Sequence, residues 1–209
     1  MKHLKTIVGQ WLKDIWLNKL VIILSVGILI IASILNVLAG RYVTRKGVAS
    51  PPDLILDLIP SIDLNLLFIW GVLLIVGVMT AYIFLFKISK FHVYLSHISL
   101  LMLTRSFAMC LTHLKVPENA VQIYWPKFLQ VIAFKNDLFF SGHVAFTFIG
   151  FLLFKESKIK WFFLISSIVM AATVLLMHVH YSIDVFSAYF ITYGTFVMGE
   201  KIFKRIYKI

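Results

Sequence analysis

Six stretches of this chain stay apolar for about as long as a bilayer core is thick, and that repetition constrains the fold more than any single motif. A hydrocarbon core about 30 Å thick takes roughly 17 to 25 mainly apolar residues as helix. Such windows fall near residues 20 to 39, 64 to 86, 93 to 114, 138 to 154, 161 to 178 and 183 to 203. With 61% hydrophobic and only 14% charged residues, the 209-residue chain cannot be an ordinary water-soluble domain. The expectation is an all-α polytopic membrane protein: six transmembrane helices forming one domain over residues 20 to 209, behind a basic amphipathic segment at 1 to 19.

In that leading segment Leu4, Val8, Trp11, Ile15 and Trp16 share one helical stripe while Lys2, Lys5 and Lys13 lie elsewhere around it. This is the pattern of an interfacial helix. The apolar run that follows is too long for the core of a secretion signal and reads as a retained helix. Basic residues set the orientation. With both termini on one side, that side collects thirteen Lys and Arg, among them Lys87, Lys90, Lys155, Lys158, Lys160, Lys201, Lys204 and Arg205. The other side holds six: Arg41, Arg45, Lys46, Lys115, Lys127 and Lys135. The positive-inside bias therefore predicts cytoplasmic termini. The net charge of +11 reads as topology and contact with anionic lipid rather than nucleic-acid binding. A single cysteine, Cys110, excludes an intramolecular disulfide and a cysteine metal cluster.

Polar residues where a span begins need a reason. "KNDLFFSGHV", residues 135 to 144, carries Asp137, Ser141, Gly142 and His143 at the start of the fourth run. Ser141 suits a helix N-cap, and Gly142 lets a ligand approach the backbone closely. Unpaired amides at such a helix start attract phosphate, and a histidine beside them can protonate a leaving oxygen. The second cluster, "HVHYSIDV", residues 178 to 185, spaces His180 and Asp184 four apart. On a helix beginning here the two share a face, and the carboxylate fixes the imidazole tautomer so that the other nitrogen is free as nucleophile or base. With six spans, both clusters open onto the outer surface. Arg105, about nine residues from the outer end of the third span and so roughly 13 Å deep, must face protein, water or an anion. Its candidate partners are a lipid phosphate, Asp137 and Asp184. His178 and His180 point apart on a helix, and no further ligand set is evident, so no metal is expected.

Taken together, "NDLFFSGH" and "HVHYSIDV" resemble the paired motifs of the sphingomyelin synthase branch of the type 2 phosphatidic acid phosphatase superfamily. "SPPDLILDLI" resembles that branch's Pro-Pro segment with two aspartates before the second helix, and "TRSFAMCLTHLKVP" its arginine-bearing third helix. The resemblance runs from about residue 48 to 195. It implies a catalytic triad in which His180 attacks phosphorus, Asp184 orients it, and His143 acts as acid and then base. Arg105, Asp137, Ser141, Gly142, His178 and Tyr181 are implied around the substrate. The implied partners are a phospholipid donor, a lipid-alcohol acceptor such as ceramide or diacylglycerol, and the bilayer, with no cofactor. The implied setting is the exoplasmic face of a plasma membrane or a Golgi lumen. Departures fall at Lys135-Asn136, where the branch has Cys-Gly, at Val144 in place of Thr, and at Lys115 in place of Pro. The outward loop before the first motif also reads as too short for an elaborate lid.

Two rivals remain. A lipid phosphate phosphatase of the same superfamily would release the phosphate to water, but the Arg-Pro and Ser-Arg pairs usual in those enzymes are absent here. A non-enzymatic transporter would place its polar residues near the midplane rather than at one surface.

Overall fold

The structure is a computed structural model that describes residues 15–207 together with Gly9 and Lys13. The rest of the basic leader, including Leu4, Val8 and Trp11, lies outside the described residues. Among the described residues six long helices follow one another: α1 Lys19–Lys46, α2 Val72–Phe86, α3 Phe91–Leu111, α4 Gly142–Leu153, α5 Lys160–Leu176 and α6 Ser182–Tyr207. A π-helical turn, Leu67–Gly71, leads straight into α2. No β-strand occurs among the described residues. Among the described residues three helices can cross a membrane by length and composition: Lys19–Lys46, Leu67–Phe86 and Ile88–Leu111. Helices α4 and α5 are apolar but shorter, and the 12 residues of α4 rise only about 18 Å.

Packing follows from which side chains are small. Along α1, Ser25, Ala32 and Ala39 recur every seventh residue and are buried, letting α1 lie close against α3 while its branched residues stay exposed. Helix α4 packs on α5 and α6 and draws one apolar cluster together: Phe68, Leu101, Phe140, Val144, Ile149, Val174 and Val185. A second cluster, with Met79, Tyr94, Phe163 and Met170, fills the other end of the bundle.

Loop hydrogen bonds gather six helix ends onto one face. The Val48 N–H donates to the His113 carbonyl, Lys115 to Ala49, Ile62 to Leu176, Val121 to Met177 and Ser141 to Asp184, at 2.8–3.2 Å. The ends of α1, α3 and α5 therefore meet the starts of α2, α4 and α6. The connection from residue 112 to 141 lays Val121, Ile123, Trp125 and Leu129 against the apolar cluster beneath it. It covers more of this face than its sequence promised.

Three boundaries move. Helix α3 stops at Leu111 rather than near 114, because Thr112 turns extended and the chain around Leu114 pairs with Ala49. Arg105 is thus roughly 9 Å, not 13 Å, from the helix end. Helix α4 begins at Gly142 rather than 138, because Arg105 takes the Phe140 carbonyl. Helix α6 begins at Ser182, so His180 stands in the turn before it rather than on its surface.

Candidate active site

The site is built where α4 and α6 start side by side. Helix α5 ends in a Schellman arrangement: Val179 N–H donates to the Val174 carbonyl and His178 N–H to the Leu175 carbonyl. His178 occupies the position that favours glycine, with φ at 54°. A non-glycine residue there costs about 1 kcal/mol, so the chain holds an imidazole where a cheaper residue would close the helix. Tyr181 and Ser182 then turn the backbone into α6. The buried Asp184 carboxylate accepts the Tyr181 N–H through Oδ2 at 2.9 Å. The same Oδ2 lies 3.4 Å from His180 Nδ1, outside good hydrogen-bond geometry but close enough to orient the ring. Nε2 of His180 is thereby the nitrogen turned away from this carboxylate.

A residue absent from the expected set closes this turn from outside. Asp53, 129 positions earlier, accepts the Ser182 N–H through Oδ2 at 2.7 Å, while its Oδ1 takes the Ile55 and Leu56 amides. Burial pushes its carboxyl up, but the hydrogen bonds from Ser182, Leu56 and Ile55 outweigh that and hold it below the ordinary carboxylate value. Tyr181 reaches the same loop: its hydroxyl donates to the Lys115 carbonyl at 2.8 Å and lies 3.0 Å from Ser50 Oγ. The signal for Asp53 was present in "SPPD", two prolines feeding an Asx-type turn.

At α4, Ser141 holds the cap position but makes no side-chain cap bond. Gly142 is needed for close approach, since a Cβ there would stand 2.9 Å from Arg105 Nε. Arg105, 5% exposed, donates through Nε to the Phe140 carbonyl at 3.0 Å and through Nη2 to Asp137 Oδ1 at 2.6 Å. Of its three candidate partners, then, it engages Asp137. In the first turn of α4, the His143 ring stacks on Phe68 with centroids 3.9 Å apart, and it stands within electrostatic reach of His180 and Arg105. Phe68 is held by the π-helical turn before α2, a distortion frequent at functional sites.

Five buried polar atoms at this junction find no hydrogen-bond partner among the described residues: Ser141 Oγ, His143 Nε2, His178 Nε2, His180 Nδ1 and Asp184 Oδ1. Buried polar atoms are paired in the great majority of cases, so such a concentration marks a place built for something other than packing. Above it a cleft of about 890 Å³ is lined by Ser50, Asp53, Asp57, Glu118, His178 and Tyr181, with prolines 51, 52 and 117. His143 and His180 are not part of its lining. Among the described residues no three His, Cys, Asp or Glu side chains are grouped to hold a metal ion. Asn136, one of the two departures before the first motif, is a buried staple. It accepts the Val116 N–H at 3.3 Å and donates to the Thr44 carbonyl at 3.2 Å, while Lys135 is exposed.

No curated protein matches the chain. Residues 136–201 match the family model described as PAP2 superfamily C-terminal. That stretch contains every residue of the two polar clusters from Asp137 to Asp184 and leaves out Arg105 and Asp53. The chain is thus similar, over its last three helices, to a domain of phosphoryl-handling lipid enzymes, and its apolar helices fit an integral membrane protein.

Proposed function

We propose that the protein moves a phospho-head group from a glycerophospholipid to a lipid alcohol such as ceramide or diacylglycerol, through a phosphohistidine at His180. The observation that carries this reading is the set of five unpaired buried polar atoms where α4 and α6 begin. His180 Nε2 attacks phosphorus, and the bond from phosphorus to the diacylglycerol oxygen breaks. His143 Nε2 gives that oxygen its proton. The acceptor hydroxyl then attacks phosphorus, returns a proton to His143 and breaks the phosphorus–nitrogen bond. Asp184 orients His180 and stabilises the imidazolium character that develops. The first-turn amides of α4 have no intrahelical partner and face the position a phosphate would take. Arg105 holds the turn in place through Asp137 and Phe140.

A head group with a positive end fits the acid-lined cleft. Asp57 and Glu118 line it beside His178, and neither makes an ion pair among the described residues. Phosphocholine and phosphoethanolamine donors therefore suit it better than bare phosphate. With both termini cytoplasmic, this face is exoplasmic. The test is to supply reconstituted protein with labelled ceramide or diacylglycerol and several phospholipid donors, then separate new phospholipid from free phosphate. New phospholipid made from zwitterionic donors is expected. Free phosphate alone would make the protein a phosphatase, and no turnover of any lipid would remove the enzymatic reading.

A further inference from the structure

The face opposite the histidines carries its own site. There the α2–α3 and α4–α5 turns and the last turns of α6 enclose a cleft of about 210 Å³. Four lysines line it, Lys87, Lys90, Lys155 and Lys204, against two carboxylates, Glu156 and Glu200. Lys155 and Lys204 are spent on Glu200, at 3.1 and 3.6 Å. Lys87 and Lys90 make no ion pair among the described residues. The surplus charge of the cleft is therefore positive.

His97, 1% exposed, forms part of the wall. Its Nδ1 lies 2.9 Å from the Val93 carbonyl, so that nitrogen carries a proton and donates it. In the neutral ring Nε2 is then an acceptor, 3.9 Å from Glu200 Oε1 and hydrogen-bonded to nothing. A lone pair facing a carboxylate is a poor arrangement unless a donor comes between them. Gly199 lets the ring lie this close to α6, since a Cβ there would stand 2.9 Å from its Cδ2 and 3.1 Å from Nε2. Next to the cleft runs a groove of about 400 Å³ lined by Phe151, Leu152, Tyr193 and Val197, which shares Lys155, Phe196 and Glu200 with it. The combination asks for a ligand with an anionic end, a hydroxyl donor and an alkyl chain.

We propose that this cleft binds an anionic phospholipid whose head group bears a free hydroxyl. Its phosphate oxygens lie on Lys87 and Lys90, its hydroxyl donates to His97 Nε2, and one chain follows the groove between α4 and α6. Inorganic phosphate offers the same oxyanion and hydroxyl chemistry without the chain, and the apolar groove is the reason to choose the lipid. The site is separate from the histidines of the other face and does not depend on the reaction assigned to them.

The test uses the full-length protein in non-ionic detergent, titrated separately with dioleoylphosphatidylglycerol, dioleoylphosphatidylcholine and inorganic phosphate, with bound ligand counted by native mass spectrometry. Phosphatidylglycerol should bind at least about tenfold more tightly than phosphatidylcholine. The double variant Lys87→Gln with Lys90→Gln, the first half-buried and the second exposed, should lose roughly 10- to 30-fold of that affinity with phosphatidylcholine unchanged. His97→Gln should weaken phosphatidylglycerol selectively as well. Equal binding of the two lipids, or an unaltered preference in the double variant, overturns the site. Inorganic phosphate binding as tightly as phosphatidylglycerol overturns its assignment to a lipid.

Discussion

Helices α4 and α6 begin side by side on one face, yet their N-termini are treated in opposite ways. At α6 the chain answers the positive end of the helix with its own carboxylates: Asp184 takes the Tyr181 amide and Asp53 the Ser182 amide. At α4 the cap residue is a serine whose hydroxyl is buried and unpaired, and the neighbouring charge is the Arg105 guanidinium rather than an acid. A helix start draws anions in either case. The first has its amides capped by the chain's own acids, and it carries His180, the proposed nucleophile. The second is left open, and it carries His143, the proposed proton donor. The contrast fits the proposed roles, in which α6 presents His180 and α4 receives the phosphate.

The sharpest break in that contrast is at the nucleophile. His180→Ala should lower transfer by at least about 10³-fold with helical content unchanged, read as labelled product from reconstituted protein. Near-normal turnover in that variant would leave the α6 turn with only a structural role. Next comes Asp184→Asn, which keeps the shape but alters the partner of both Nδ1 and the Tyr181 amide. A loss of about 10²- to 10⁴-fold is expected, and an unchanged rate would show that Asp184 only caps the helix.

Ser141→Asp makes the two helix starts alike. An acid at the cap supplies the missing anion, so the thermal midpoint should rise, by up to about 1 kcal/mol of stability, while activity falls at least about tenfold. Opposite signs in the two assays are the signature, because a site that did not bind phosphate would gain stability and keep its rate. The smallest effect belongs to Asp53→Asn, which weakens a cap made from another loop. A cost of about 1 kcal/mol in unfolding free energy is expected, with only a few-fold loss of rate. Because the Asp53 carboxyl sits below its ordinary value in the folded chain, its contribution is complete above the ordinary value of 3.8 and is lost as pH falls through the depressed one. The difference between wild type and Asp53→Asn should therefore shrink in acid, a trend that thermal unfolding at several pH values will show.

The helices were legible because apolar run length is a local property. Five of the six windows lie within a few residues of an observed helix at both ends, and the first, 20 to 39, is carried on to Lys46 by basic and polar residues past the apolar run. What the windows missed was set by contacts between distant segments. Three could not be counted as spanning by length and composition, since α4 and α5 are short and α6 is interrupted by polar residues. The start of α4 was misplaced because apolar "LFF" continues the pattern while Arg105 claims the Phe140 carbonyl. In the site, His143, His180 and Asp184 declared themselves by polar character in an oily context. Asp53 declared only its local Asx-type turn in "SPPD", since nothing near it in sequence says that its second oxygen closes a turn 129 residues away. The left-handed backbone of His178 was equally hidden, because it belongs to the way α5 ends rather than to the histidine.

The central claim concerns one covalent bond, and one measurement reaches it directly. Reconstituted protein is mixed with a phospholipid donor labelled at phosphorus, without acceptor, quenched at alkaline pH where phosphohistidine survives, digested, and mapped by mass spectrometry. The account predicts label on His180, lost in His180→Ala and accumulating in His143→Ala only to the extent that the first step proceeds without its acid. Label on any other residue, or product formed with no labelled protein at any time point, would contradict it.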